Sequence, residues 1–499
     1  METTMPQNEP LHTQPVLCKY ALESLTSSVP LEIRASGICN GSGLFLAKTS
    51  GLDEGCEIYR APLSLAVVEP HVTDVCHGCF REEEELFEEA KKKNPNATPT
   101  KLRICGGCKV ASYCSKLKTA LEHLESHPVK IDDRFVNAFM PLAPQVLSAA
   151  FAAVYSRGVA QMAKLHVNCM PLRPISRPDT VGYALDVATA MVNHSCDPNA
   201  FAFLEGSCLR VRSLRKINPG EAITFCYVTA HMDVLARRGM LKEEYYITCD
   251  CSRCVQEFAE LGAVVGSDNL KNSTTLDVMV EAHSLLRHAN NSAMIFGTNP
   301  KVQDLGQVES RMHAILAKAM APGTSWPENL DPFPSFRLLL GRLYIEQGKP
   351  VTGLRNVLRG MFHRRQPLNK VDWVHTVLDV WGFLRAVGSM PRNAATKEDR
   401  TVPSAVDIRT MAYRYLDAGW YSATKVFGED SFHLEVFEES LGVMLKQWNN
   451  KRSQLGLKEF EVKFEAAQRR VLDWAGLTEE KGIPSKVKML KPKGQHSSG

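Results

Sequence analysis

The chain has no long hydrophobic run. Its most apolar stretch, AFMPLAPQVLSAAFAAVY (138–155), is interrupted by Pro141, Pro144 and Gln145. That suits a buried helix over the second half better than a membrane span, which needs about 20 apolar residues. The chain also lacks a strong charge of one sign: 59 Lys and Arg face 55 Asp and Glu, a formal net charge of +4 over 499 residues. No basic helix accompanies its cysteines, so strong direct nucleic-acid binding is not expected. The first residues, METTMPQNEPLHTQP, lack the basic-then-apolar order of a secretory signal. The expected compartment is nucleus or cytoplasm, where thiols stay reduced, with no membrane as partner. The length suggests two to four domains.

What the chain does have is cysteine, 15 in all. In a reducing compartment, clustered cysteines point to metal ligands. Cys76, Cys79, Cys105, Cys108 and Cys114 share one segment, and Cys249, Cys251 and Cys254 another. Cys18, Cys39, Cys56, Cys169, Cys208 and Cys226 lie among apolar neighbours and read as small buried hydrophobes.

The fold class expected is α+β. Residues 1–30 read as a flexible leader. Glycine-punctuated alternation over 31–70 predicts short strands and turns. The cysteine-rich insert spans 71–131, with a solvated helix and loop in REEEELFEEAKKKNPNATPT (81–100). Residues 132–180 read as a helical insert. Alternation returns over 181–230, with NPGE (218–221) as a turn. Residues 231–262 carry a helix that runs into CDCSRC. From 263 to 478 the pattern is helical, and SFRLLLGRLYIEQGKP (335–350) partly matches a tetratricopeptide helix–turn–helix. Residues 479–499 read as a basic disordered tail.

Two cysteines separated by two residues can turn both sulfurs toward one Zn²⁺. CHGC (76–79) and CGGC (105–108) are two such pairs, followed by YCS with Cys114 and a helix with His123 and His127. The order resembles a MYND zinc finger, with departures. Lys118 and Ile131 stand where that family has cysteines, and His123 where it has tryptophan. The resemblance implies two interleaved sites, one with Cys76, Cys79 and Cys114, the other with Cys105, Cys108 and His127. Either His77 or His123 substitutes as a ligand, or one metal is weak or missing. The second cluster, Cys249, Cys251 and Cys254, lacks a local fourth ligand. Cys196, in NHSCDPNA (193–200), is the best candidate, because a thiolate is softer than the adjacent His194 imidazole.

GSGLF (41–45), NHSCDPNA, PGEAITFCY (219–227) and CDCSRC (249–254) together resemble a SET-domain protein lysine methyltransferase. With the cysteine-rich insert and helical C-terminal part, the chain looks like the SET–MYND (SMYD-type) family. The expected architecture is a β-rich SET domain split by a small MYND-like zinc module, followed by an all-helical, TPR-like domain. The resemblance implies S-adenosylmethionine as methyl donor and a protein lysine, histone or non-histone, as acceptor. Carried over by motif, Gly41, Ser42 and Gly43 lie against the cofactor, where glycine admits close backbone approach. Asn193 and His194 hold the cofactor, and Asn168 is a further contact. Ile247 takes the place of an aromatic that stacks on adenine in the family. Tyr227 matches the catalytic tyrosine and Tyr245 the second tyrosine of the lysine channel. The MYND-like module is expected to bind a partner peptide, and the chain to act as a monomer. The competing reading is a catalytically weak or inactive scaffold that uses the same fold to bind partner proteins.

Overall fold

The computed structural model describes residues 21–23, 25–36, 42–49, 51–62, 65–68, 74–76, 82–99, 101–104, 112–113, 168, 170–172, 182–186, 188–205, 208–228, 232–266, 273–295, 304–321, 323–364, 373–390, 399–440, 442 and 457–478. Its strands are β1 (Thr26–Ser27), β2 (Leu31–Ala35), β3 (Ser42–Leu46), β4 (Glu57–Pro62), β5 (Leu65–Val68), β6 (Arg103–Ile104), β7 (Ser112–Tyr113), β8 (Met170–Leu172), β9 (Gly182–Leu185), β10 (Asn193–His194), β11 (Ala200–Glu205), β12 (Cys208–Ser213) and β13 (Thr224–Phe225). The helices are α1 (Glu83–Lys93), α2 (Val234–Tyr245), α3 (Ser252–Val265), α4 (Ser273–Ile295), α5 (Leu305–Ala317), α6 (Phe333–Glu346), α7 (Pro350–His363), α8 (Trp373–Gly388), α9 (Ala405–Phe427), α10 (Phe432–Ser440) and α11 (Leu457–Ala475). None is long and apolar enough to cross a membrane.

The largest sheet runs β1-β4-β12-β11, all neighbours antiparallel. Period-two alternation gives it two different faces. Leu209 and Val211, with their cross-strand partners Ala61 and Tyr59, are buried in a core with Leu44, Leu46 and Ile223. Arg210, paired with Phe203, and Arg212, paired with Phe201, face the other way. That second face receives the helical part of the chain. Phe203 lies edge-on to Phe427 at 5.4 Å and to His433 at 5.2 Å. Arg210 bonds Glu57 at 2.8 Å, Glu205 at 2.6 Å and Asp430 at 2.9 Å.

The strand expectations over 31–70 and 181–230 hold, as do the helix in 81–100 and the NPGE turn, where Gly220 takes φ 75°. The leader is a correction. Residues 26–27 pair with β4, Ala21 is fully buried, and Leu22, Leu25 and Val29 pack on the sheet core. Apolar side chains spaced along this segment draw it onto the sheet, so a leader can extend only to about residue 20, which lies outside the described residues. A second correction concerns Cys56, Cys208 and Cys226, which are only partly buried. Cys18, Cys39 and Cys169 lie outside the described residues, as do the tail from 479 and nearly all of the expected helical insert over 132–180.

In the helical part, α6 and α7 form the helix–turn–helix that the partial repeat predicts. They approach closely because Gly341, Gly353 and Gly360 present no side chain. A Cβ on Gly353 would lie 2.8 Å from the Gly341 carbonyl, and one on Gly360 2.7 Å from the Pro334 carbonyl. The expected boundary at 262/263 falls inside α3, which starts within CDCSRC and runs unbroken to Val265.

Candidate functional site

The NHSC segment enters as β10, which pairs in parallel with β13: Asn193 opposite Thr224 and His194 opposite Phe225. The bond from Ser195 N–H to the Phe225 carbonyl, 2.8 Å, continues the pairing. Asn193 is 8% exposed, and its amide donates to Ser36 Oγ at 2.9 Å and to the Ser42 carbonyl at 3.3 Å. Gly43 makes that approach possible: a Cβ there would lie 2.6 Å from Asn193 Nδ2 and 2.9 Å from Phe45 Cε2. Ser42, Gly43 and Asn193 are therefore brought together, while Gly41 lies outside the described residues. Asn168 is half-buried and stands ahead of β8, in a different sheet.

His194 is 3% exposed, and both ring nitrogens are used inside the protein. Nδ1 accepts the Tyr227 backbone N–H at 3.1 Å, and Nε2 lies 3.2 Å from Cys196 Sγ. Because Nδ1 accepts, the proton sits on Nε2 and points at sulfur. His194 thus couples the Tyr227 segment to the cysteine cluster and leaves only its backbone for a ligand. The Tyr227 hydroxyl donates to the Val192 carbonyl, and its ring lies 5.0 Å from that of Tyr245. The two predicted channel tyrosines are neighbours. Ile247 is partly buried in the same apolar cluster, and its N–H donates to the Leu241 carbonyl at 3.0 Å.

The four sulfurs of Cys196, Cys249, Cys251 and Cys254 lie within 4.8 Å of one another. Cys196 Sγ is 3.4 Å from Cys254 Sγ and 3.9 Å from Cys249 Sγ. A tetrahedron with Zn–S bonds of about 2.3 Å has edges of about 3.8 Å, so the donor set and spacing fit Zn²⁺. Fully buried Arg237 points Nη2 at Cys254 Sγ, 3.9 Å away, while pairing with Glu257. It opposes the net negative charge that four thiolates keep after binding one divalent ion.

Of the expected MYND-like ligands, Cys76 is described and buried, beside an isolated bridge of Val75 to Glu82. Strands β6 and β7 flank the CGGC pair as an antiparallel ladder. Cys79, Cys105, Cys108, Cys114 and His127 lie outside the described residues.

Two contributors were not expected from the sequence. Asn199, 1% exposed, closes the NHSCDPNA loop: its side chain donates to the Ala222 carbonyl at 2.7 Å and Glu221 at 3.1 Å, and accepts from Thr224 N–H at 2.8 Å. Its place in a polar octet was the only signal. Arg253 donates to the Cys196 carbonyl at 2.9 Å and bonds Glu257, and nothing in the spacing marked it.

The parallel pairing of NHSC with ITFCY, the paired tyrosines and the four-cysteine knot define a SET domain, and the SET-domain family model matches residues 75–228. Strands β3 and β4, ahead of that span, complete its sheets. Histone-lysine N-methyltransferase SMYD3 of Mus musculus is 34% identical over 90 residues, 18% of this chain and 21% of the relative. A SET and MYND domain-containing protein of Dictyostelium discoideum is 37% identical over 84 residues, 17% of this chain and 24% of the relative. SET domain and MYND-type zinc finger protein 6 of Schizosaccharomyces pombe is 28% identical over 162 residues, 31% of this chain and 33% of the relative. The matches span a fifth to a third of these relatives' lengths. Over that part the chain carries a SET domain and is similar to SET–MYND proteins.

Proposed function

We propose that the protein transfers a methyl group from S-adenosylmethionine to a protein lysine, histone or non-histone. The observation that carries this reading is the meeting of Asn193, Ser42 and Gly43 on one side of NHSC with the Tyr227–Tyr245 pair on the other. S-adenosylmethionine supplies an electrophilic methyl group when bound. The Asn193 amide, already oriented by Ser36 and Ser42, holds it, with Gly43 and the His194 backbone alongside; Gly41, Asn168 and Ile247 are further contacts. The acceptor must be a neutral amine with its lone pair aimed at the methyl carbon. Tyr227 and Tyr245 would line a narrow passage, exclude water and orient that amine without offering a competing nucleophile. Positioning of this kind supplies much of the acceleration.

The cysteine knot is assigned a structural role: a Zn²⁺ on Cys196, Cys249, Cys251 and Cys254 fixes NHSC against the segment carrying Tyr245 and Ile247. The insert with Cys76, Cys79, Cys105, Cys108, Cys114 and His127 is assigned to metal-supported capture of a partner peptide, in a monomer of nucleus or cytoplasm. The proposed domain limits are the expected ones except at two places: the SET part begins near residue 21, and the segment after it runs to Val265, the end of α3. The scaffold reading draws on Ile247, an aliphatic side chain that cannot stack on adenine as an aromatic does.

The test is transfer of labelled methyl from S-adenosylmethionine to a lysine-centred peptide library by the metal-loaded chain. Lysine methylation, reduced at least 100-fold in Tyr227→Phe, is the expected result. No transfer by folded, metal-loaded protein would leave the scaffold reading.

A further inference from the structure

Tyr246 stands between two proposed site residues, Tyr245 and Ile247, and resembles neither in its surroundings. It is 84% exposed, the most exposed large hydrophobic side chain among the described residues. Its backbone sits at φ 57°, ψ 28°, and it is the one non-glycine residue at positive φ among the described residues. The N–H groups of Tyr246 and Ile247 both donate to the Leu241 carbonyl. This turn ends α2 and swings the chain into the cysteine knot. Glycine would make the same turn with less strain. A Cβ in the left-handed region costs free energy, and a ring standing in solvent returns none through burial. Fold stability therefore argues against tyrosine here, and strain kept beside a site points to a function.

We propose that Tyr246 is a specificity-determining contact for the acceptor polypeptide. Its ring would rest against an apolar or cationic side chain next to the acceptor lysine. The cofactor is not the favoured partner: Asn193 is buried and Gly43 closely packed, whereas this ring lies on the outer surface. A protein must rest on that surface to send a lysine inward past Tyr245. The proposal rests on the methyl-transfer reading.

The test uses the metal-loaded full chain, S-adenosylmethionine, and a peptide library with a central lysine and randomised flanks. Tyr246→Gly should keep or raise Tm, raise KM for the preferred peptides about three- to five-fold, and flatten the flank preference. Its kcat and cofactor Kd should stay within about two-fold of wild type, and Tyr246→Phe should restore KM. An unchanged KM and flank preference in Tyr246→Gly would overturn the proposal. So would a fall in Tm, which would make the ring structural, or a loss of cofactor affinity, which would make it a cofactor contact. A wild type that methylates no peptide defeats the underlying reading and this proposal together; an active wild type matched by Tyr246→Gly defeats this proposal alone.

Discussion

Two clusters tie distant parts of the chain together, and they do so by different chemistry. The cysteine knot joins NHSC to the start of α3 with four soft donors that fit one metal. On the sheet, Arg210, only 2% exposed in its side chain, gathers Glu57, Glu205 and Asp430 and fastens the turn after α9 to β12. Beside it, His433 is wedged against Phe203 and Phe427. A metal centre can contribute folding free energy outright, whereas a buried ion cluster roughly balances desolvation against attraction and chiefly punishes removal of one partner. The knot should therefore respond to chelators and thiol chemistry, and the sheet dock to charge removal and acid.

The largest effect is expected at the knot. Chelation, or Cys196→Ser, should release metal and lower Tm by more than 10 °C, consistent with the roughly 10–16 kcal/mol that structural zinc supplies in small peptides. Metal content by atomic emission alongside a melting curve checks this, and a chelated protein with unchanged Tm would break the contrast. Next, Arg210→Met should destabilise by about 3–5 kcal/mol, because three carboxylates lose their buried cation. Asp430→Ala should cost under about 1 kcal/mol, since its side chain is 63% exposed. Urea titration of both variants reads the difference.

Acid sharpens the comparison further. Burial pushes His433 down to about 4, from an unfolded value of about 6.5. Its folded pKa lies below its unfolded one, so the unfolded chain binds more protons between these values. Stability should fall by up to about 3 kcal/mol as pH drops from 6.5 to 4, and His433→Phe should flatten that slope. The smallest effect involves Asp233 and His283, 2.5 Å apart. Burial opposes charge on both, yet their bond overcomes it, lowering Asp233 and raising His283. The pair contributes fully between about pH 4 and 6.5, losing strength as acid protonates Asp233 and as base deprotonates His283. Melting curves of His283→Gln should show a smaller decline above pH 6.5 than wild type.

The two clusters were not equally legible. The CDCSRC spacing is local, so three ligands can be read directly, and Cys196 follows because a tetrahedron lacks its fourth corner. NHSC and ITFCY carry their chemistry in adjacent letters. The sheet dock gives no such sign. Arg210 meets Asp430 across 220 positions, and an arginine in an alternating strand reads as solvent-facing until something covers it. Asn199 reaches Thr224 across 25 positions, which residue identity alone does not disclose. The leader failed for a similar reason: a two-residue strand is too short to show periodicity, and its partner β4 creates it.

The most direct test of the central claim is calorimetry of S-adenosylmethionine binding to the metal-loaded chain, repeated after chelation and in Asn193→Ala. Micromolar binding to the loaded protein, lost in both comparisons, is the expected result if the knot holds NHSC in place and Asn193 holds the cofactor. No binding to folded, metal-loaded wild type, or full binding by Asn193→Ala, would contradict it.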